Sequence, residues 1–306
     1  MKYLFRNDKN IYKANLHCHT TISDGKNSPE EIKKIYQDSG YQIVAYTDHN
    51  KLVPHMDLND ENFLAVHGVE YGINQDNGHK CYHFNLYALN QSITETPAYP
   101  DMKYDDTIAI NQYIEERVKE GFLVCYNHPY WSMQTWEDYG KLKGCFAMEI
   151  YNHGCEVSDG YYGYNPQVYD EMLREGNKIF CVSADDNHNR ASLDALESDS
   201  FGGFVRINSE NLNYSNIMAA LSNGDFYASQ GPEIYEISLD DGKLAVKCSP
   251  AALIVVYTDT RKCYIARGAP TINRAEFQLL GKERYIRVMC RDVDKKDANS
   301  NAYWLL

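Results

Sequence analysis

Through its first three quarters the chain alternates short apolar runs with amphipathic segments, and that alternation limits the fold more than any other feature. "SPEEIKKIYQDSG" places Ser28 as N-cap, Pro29 at the first helical position and Glu31 to close a capping box. Its apolar stripe is Ile32, Ile35 and Tyr36, and Gly40 suits the position just past the end. "DDTIAINQYIEERVKEG" repeats the plan with Ile110, Ile114 and Val118 at intervals of four and its charges on the wet face. "NPQVYDEMLREG" opens at Asn165 and Pro166 and ends at Gly176; "NYSNIMAALSNG" carries Ile217 and Leu221 and ends at Gly224. Between these helices lie the strand candidates "QIVAYT", "FLAVHGV", "CYHFNLYAL", "FLVCYN", "FAMEIY", "KIFCVS" and "GFVRI". Strands that alternate with helices imply a parallel sheet covered by helices, and this many units favour a closed or nearly closed barrel.

The pattern changes near residue 231. "EISLDDGKLAVKC" reads as two strands joined by an Asp-Gly turn. "ALIVVYT", "CYIARG", "AEFQLL" and "RYIRVMC" follow without a helical period. The division expected is residues 1–230 as an α/β barrel and 231–306 as a small all-β, sandwich-like domain packed directly on it.

Composition removes several classes of function. A net charge of −13 argues against a broad surface for nucleic acid, though not against a small anion held by bound cations. No apolar run is long enough to span a membrane, and the start "MKYLFRNDKN" has no apolar stretch of a secretory signal. The nine cysteines form no C-x-x-C pair, and Cys18, Cys125 and Cys181 lie within apolar runs; they read as reduced core residues of a cytoplasmic protein.

Residues of metal-binding type follow the barrel strands. In "NLHCHTTISDGK", His17 and His19 alternate and so project to one face, with Leu16 and Cys18 on the other. Alone, such a pair is common and reads as an ordinary half-buried strand sooner than as a chelate. "QIVAYT" runs into Asp48 and His49, "FLAVHGV" into Glu70, "FLVCYN" into His128, and "KIFCVS" into Asp186 and His188, while His83 falls within "CYHFNLYAL". In a parallel barrel the strand C-termini meet on one face. Nine side chains converge there: His17, His19, Asp24, His49, Glu70, His83, His128, Asp186 and His188. With imidazole and carboxylate and no thiolate, the set suits manganese, zinc or iron(II).

The ordered motifs "LHCHTTISDG", "YTDHN", "GVEY", "NHPY" and "DDNH" resemble the PHP family, named for its polymerase and histidinol-phosphatase members. The resemblance covers residues 12 to 230, and the β tail is similar to the accessory module of two-domain PHP phosphoesterases. It implies a distorted (β/α)7 TIM-like barrel holding two or three divalent metals. It also implies the sharing of ligands: His17, His19, Glu70 and Asp186 on the first ion, and His83 and His128 on the second with Glu70 as bridge. Asp24, His49 and His188 fall to the third; some branches carry histidine where this chain has Asp24. Glu70, Asp186 and His188 are the catalytic candidates, with Asp48 and Glu149 behind the ligands and Asp48 orienting a histidine. Arg190 and Lys26 flank ligand motifs and are candidates for the substrate phosphate, against plain surface ion pairs. His55, His67, His79 and His153 match no motif and read as structural or surface residues.

The expected activity is hydrolysis of a small phosphomonoester (nucleotide, nucleoside bisphosphate or sugar phosphate) by a metal-bound hydroxide. Two alternatives stand beside it: a 5′-to-3′ exonuclease on short RNA or DNA ends, and a non-catalytic metal- or ligand-binding protein.

Overall fold

The structure, a computed structural model, describes residues 1–306. The chain opens with β1 (Lys2–Arg6), β2 (Asn10–Asn15), α1 (Pro29–Asp38), β3 (Ile43–Tyr46), β4 (Leu64–Asn74) and β5 (Cys81–Ala88). Next come α2 (Thr107–Lys119), β6 (Phe122–Tyr126), the short α3 (Trp136–Tyr139), β7 (Ala147–Asn152) and α4 (His153–Val157). The helix-bearing part ends with α5 (Pro166–Arg174), β8 (Phe180–Ala184), β9 (Phe204–Ser209), α6 (Tyr214–Asn223) and β10 (Phe226–Ser229). Strands alone follow: β11 (Ile234–Asp240), β12 (Lys243–Thr258), β13 (Tyr264–Gln278), β14 (Tyr285–Arg291), β15 (Asp297–Ser300) and β16 (Tyr303–Trp304). No helix is long and apolar enough to cross a membrane.

Local signals in the sequence account for the helix ends. Ser28 and Glu31 form the reciprocal capping box of α1, and Gly40 takes φ +79° beyond its end. In α2 the expected stripe drifts. Steps of four residues rotate by about 40° each, so Val118 has left the face set by Ile110, whereas Arg117, seven residues on, returns to within about 20°. Accordingly Val118 is exposed and Arg117 buried, its guanidinium 2.7 Å from Glu120. Asn165 precedes α5 without capping it, because its side-chain oxygen accepts the amide of Tyr130 instead.

All sixteen strands belong to one hydrogen-bonded sheet, in the order β1-β11-β12-β14-β15-β10-β9-β2-β3-β4-β5-β6-β7-β8, with β13 on β12 and β16 on β14. Parallel pairing holds for β2–β3, β3–β4, β6–β7 and β7–β8. The parallel rule fails at β5, which is antiparallel to both β4 and β6. Residues 75–80 between β4 and β5 are too few for a crossover helix, so a hairpin is the only connection available. β4 also runs through Glu70 to Asn74 and does not stop before the glutamate.

The path ends at β8, which lies along β10 without a strand ladder. One side chain bridges this seam. Asn301 accepts the Cys181 amide at 3.0 Å and donates to the carbonyls of Gly224 and Phe226 at 3.1 and 2.9 Å. The C-terminal strands are built into the sheet through the antiparallel β10–β15 ladder, and β1 pairs with β11 among them. In the main core, Ile110 and Ile114 of α2 and Met172 and Leu173 of α5 pack with Phe84, Val124 and Met148, together with Tyr285 and Ala302. Arg287 of β14, fully buried, grips Asp170 of α5 through two bonds of 2.6 and 2.7 Å. The hairpin turn between β11 and β12 has positive φ at Asp241 and Gly242, the type I′ geometry that its Asp-Gly pair favours.

Candidate metal centre

Just past the end of β2, Leu16 and Cys18 enter apolar clusters on one side, and His17 and His19 face the other, fully buried. The two Nε2 atoms stand 3.1 Å apart. Asp186 Oδ1 lies 3.1 Å from His17 Nε2 and 3.0 Å from His19 Nε2, and the Glu70 oxygens lie 3.3 Å from each. Donors that share an ion at about 2.0–2.2 Å stand roughly 2.8–3.5 Å apart in octahedral or tetrahedral shells. These separations fit that range.

Glu70 is central because its strand position points it inward between two neighbours. Its Oε1 is 3.0 Å from His83 Nδ1 and 3.5 Å from His128 Nε2, and accepts a hydrogen bond from Asn127 at 2.9 Å. Its Oε2 is 3.2 Å from His49 Nδ1. The two oxygens therefore face different histidines. His83 sits across the β4–β5 pair from Gly72, and a Cβ at that glycine would come within 3.0 Å of the ring. Trp131 packs against both His83 and His128, with ring centroids 5.8 and 5.0 Å away.

A third group forms around Asp24, whose Oδ1 is 3.3 Å from His188 Nε2 and 3.8 Å from His49 Nε2. His19 Nδ1, 3.9 Å from the same oxygen, is buried with no hydrogen-bond partner. Asp48 corrects one expectation: it orients no histidine. It accepts from the amides and hydroxyls of Thr20 and Ser23, pinning the loop that carries Asp24. Glu149 does sit behind the donors; it accepts His17 Nδ1–H at 2.7 Å, the His128 amide at 3.0 Å and the Asn152 side chain at 2.8 Å. Asp186, held at φ +54°, reaches the group from the turn after β8.

The electrostatics call for positive charge. Burial alone would lower His17, yet the carboxylates of Asp186, Glu70 and Glu149 hold it well above its ordinary range. Burial likewise opposes His19 and His83, but Glu70, with Asp186 for His19, pushes them up to about 9 and about 10. Glu70 and Asp186 are held well below the usual carboxylate range despite their burial, each by the charge of His17 first. With Nδ1–H committed to Glu149, a neutral His17 turns its Nε2 lone pair on two carboxylate oxygens. A cation among them removes that repulsion. The three donor sets, His17/His19/Glu70/Asp186, Glu70/His83/His128 and His19/Asp24/His49/His188, thus fit divalent metal.

The remaining expectations divide. Arg190 reaches the cavity wall and pairs with Asp24 at 2.8 Å. Lys26 does not line the cavity; it is exposed, and only its amide binds there, to the His188 carbonyl at 2.9 Å. His55 packs on Tyr46, His67 bonds the Ile93 carbonyl, His79 is exposed, and His153 accepts from or donates to Tyr151. Asn127, Trp131, Asn152 and Asp199 were not singled out in the sequence. Asn127 opens the motif "NHPY" and Trp131 follows it directly, so both were within reach; Asn152 and Asp199 touch the site only through the fold. All nine cysteines are free, with Cys18, Cys125 and Cys181 buried.

The donors open on a cavity of about 470 Å³. No family model matches the chain, and no curated protein does. Among solved structures, a two-domain protein from Bacteroides vulgatus, described as containing a predicted PHP-like metal-dependent phosphoesterase, aligns with a TM-score of 0.51. Identity is 15%, over 99% of this chain and 97% of that one. A second structure, a phosphoesterase candidate from Bifidobacterium adolescentis, matches 58% of this chain and 88% of its own at 12% identity, and its TM-score of 0.39 is too low to bear on the argument. Along nearly its whole length, then, this chain shares the fold of the two-domain Bacteroides protein.

Proposed function

We propose that this chain is a metal-dependent hydrolase of the PHP type that releases phosphate from a small phosphomonoester. The observation that carries the reading is Glu70, a buried carboxylate whose two oxygens face separate histidine sets. His17, His19, Glu70 and Asp186 would hold one ion, Glu70, His83 and His128 a second, and Asp24, His49 and His188 a third. When bound, ions of the manganese, zinc or iron(II) type supply Lewis acidity at phosphorus and lower the pKa of water.

The chain's own residues do the rest. Glu149 fixes the tautomer of His17, and the Asp186 carbonyl does the same for His188 by accepting Nδ1–H at 3.0 Å. Both rings then turn Nε2 inward. Glu70, Asp186 and His188 would act on the reacting atoms from the cavity wall. Arg190, at the rim beside Asp24, is placed to meet an incoming phosphate dianion. A long polyanion finds little welcome, since Asp159, Glu197 and Asp199 also line the cavity and Arg190 is its single permanent cation. The cavity volume suits a small ligand.

A phosphate-release assay on nucleotides, nucleoside bisphosphates and sugar phosphates, with manganese added, tests the reading. Chelator-sensitive release from at least one monoester is expected. Cleavage of oligonucleotide ends with no monoester turned over would overturn it in favour of an exonuclease.

A further inference from the structure

The donor groups are flanked by two cavities. The second, about 480 Å³, shares Asp24, His49 and His83 with the first but has a different wall: Ser23, Asn50, Gly72, Asn74 and Tyr99. It holds no lysine or arginine, and Asp24 is its single carboxylate. Asn50 and Asn74 are exposed, and each amide offers two donors and an acceptor. Tyr99 is held at its hydroxyl and its ring yet stays more than half exposed. Its hydroxyl donates to the Gly72 carbonyl at 3.2 Å, and its ring stands edge-to-face on Tyr71 at 5.5 Å while remaining 56% exposed. Gly72 lies between Tyr99 and His83, and its missing side chain leaves the space that the His83 ring occupies.

We infer that this second cavity seats the alcohol part of the substrate and that the alcohol is a polyol or sugar. Resting on the phosphoesterase reading above, this names the substrate class as sugar phosphates. Vicinal hydroxyls are donors and acceptors at once, which matches paired amides and a serine better than it matches charged groups. A fixed aromatic face complements the C–H side of a sugar ring. With no lysine or arginine in the wall beyond the donor histidines, nothing there draws the phosphate away from the donor cluster. A flat nucleobase also stacks on aromatic faces, and the larger of the two beside the donors is the indole of Trp131 in the other cavity. That ring is already engaged, seated against His83 and His128 with its N–H on Asp159 at 3.0 Å.

The test compares kcat/KM for ribose 5-phosphate and glucose 6-phosphate with that for p-nitrophenyl phosphate, using the manganese-loaded full chain. In Asn74→Ala and Tyr99→Ala the sugar-to-aryl ratio should fall by at least about tenfold, mainly through KM. Tyr99→Phe keeps the ring and should hold the ratio within about threefold. A ratio that stays at the wild-type value in both alanine variants would overturn the inference. If no ester is hydrolysed, the phosphoesterase reading itself fails, and saturation-transfer NMR with free ribose and glucose decides the cavity separately. A signal with wild type that is lost in Tyr99→Ala supports the sugar site; no signal with wild type overturns it.

Discussion

Replacing Glu70 with glutamine removes one charge and one anionic oxygen at almost constant volume. The hydrogen bond that Asn127 donates to Oε1 selects how the new amide will lie: its oxygen stays on that side, toward His83 and His128. Its NH2 then faces His49 and His19, 3.2 and 3.3 Å from the present Oε2. An amide nitrogen cannot bind a cation there, so the bridge is lost on the side of His19 and His49. Less Lewis acidity reaches the substrate, and water in the site is less acidic. We expect Glu70→Gln to lose at least ~10²-fold in phosphate release at saturating manganese, about 2.7 kcal/mol of transition-state stabilisation. Packing changes little, so the metal-free variant should keep the fold, and circular dichroism and melting are to be compared between metal-free forms. A folded variant with near wild-type activity would show that Glu70 does not join the donor sets.

Three further outcomes follow from the geometry. Gly72→Ala puts a Cβ 3.0 Å from His83 Nε2, so the ring must move; elemental analysis should show a lowered metal content, and full occupancy would count against His83 as a ligand. Asn301→Ala strips partners from the buried Cys181 amide and Phe226 carbonyl and from the half-buried Gly224 carbonyl, and at about 1–3 kcal/mol for each buried group left unpaired, urea unfolding should show a loss of roughly 2 kcal/mol or more. A loss below about 1 kcal/mol would mean that the seam is not closed by this side chain. The folded, metal-free site holds His19 up to about 9 and His83 up to about 10, so both carry protons at neutral pH and must release them to bind metal. Affinity for zinc should therefore rise with pH toward those values, and calorimetry in buffers of different ionisation enthalpy should report proton release; a pH-independent affinity would contradict the charge balance described.

Much of this arrangement was legible because it is local. The helix ends were readable from Ser28, Pro29 and Glu31, and from Gly40 and Gly224, since caps depend on neighbouring residues only. The facing of His17 and His19 followed from period-two alternation. What escaped depends on partners distant in sequence. Whether β5 runs parallel or antiparallel is not written in its residues; the shortness of the preceding loop held the clue. Glu70 read as following the strand "FLAVHGV", but β4 pairs onward with β5 past it to Asn74. Asp48 was adjacent to a histidine in sequence and faces a loop in space. Asn301 gives no sign in the sequence that it stands in for a strand's hydrogen bonds. In α2, a spacing of four imitates the helical period for two turns and then leaves the face.

The proposed function requires that the three donor sets bind divalent metal and that phosphoester hydrolysis depend on it. The most direct measurement is elemental analysis of the purified full chain after reconstitution with manganese or zinc, alongside phosphate release before and after chelation. We expect at least about two equivalents of metal per chain, activity abolished by the chelator and restored by the ion. A chain that takes up no metal, or that hydrolyses its substrate equally well without it, would contradict the account.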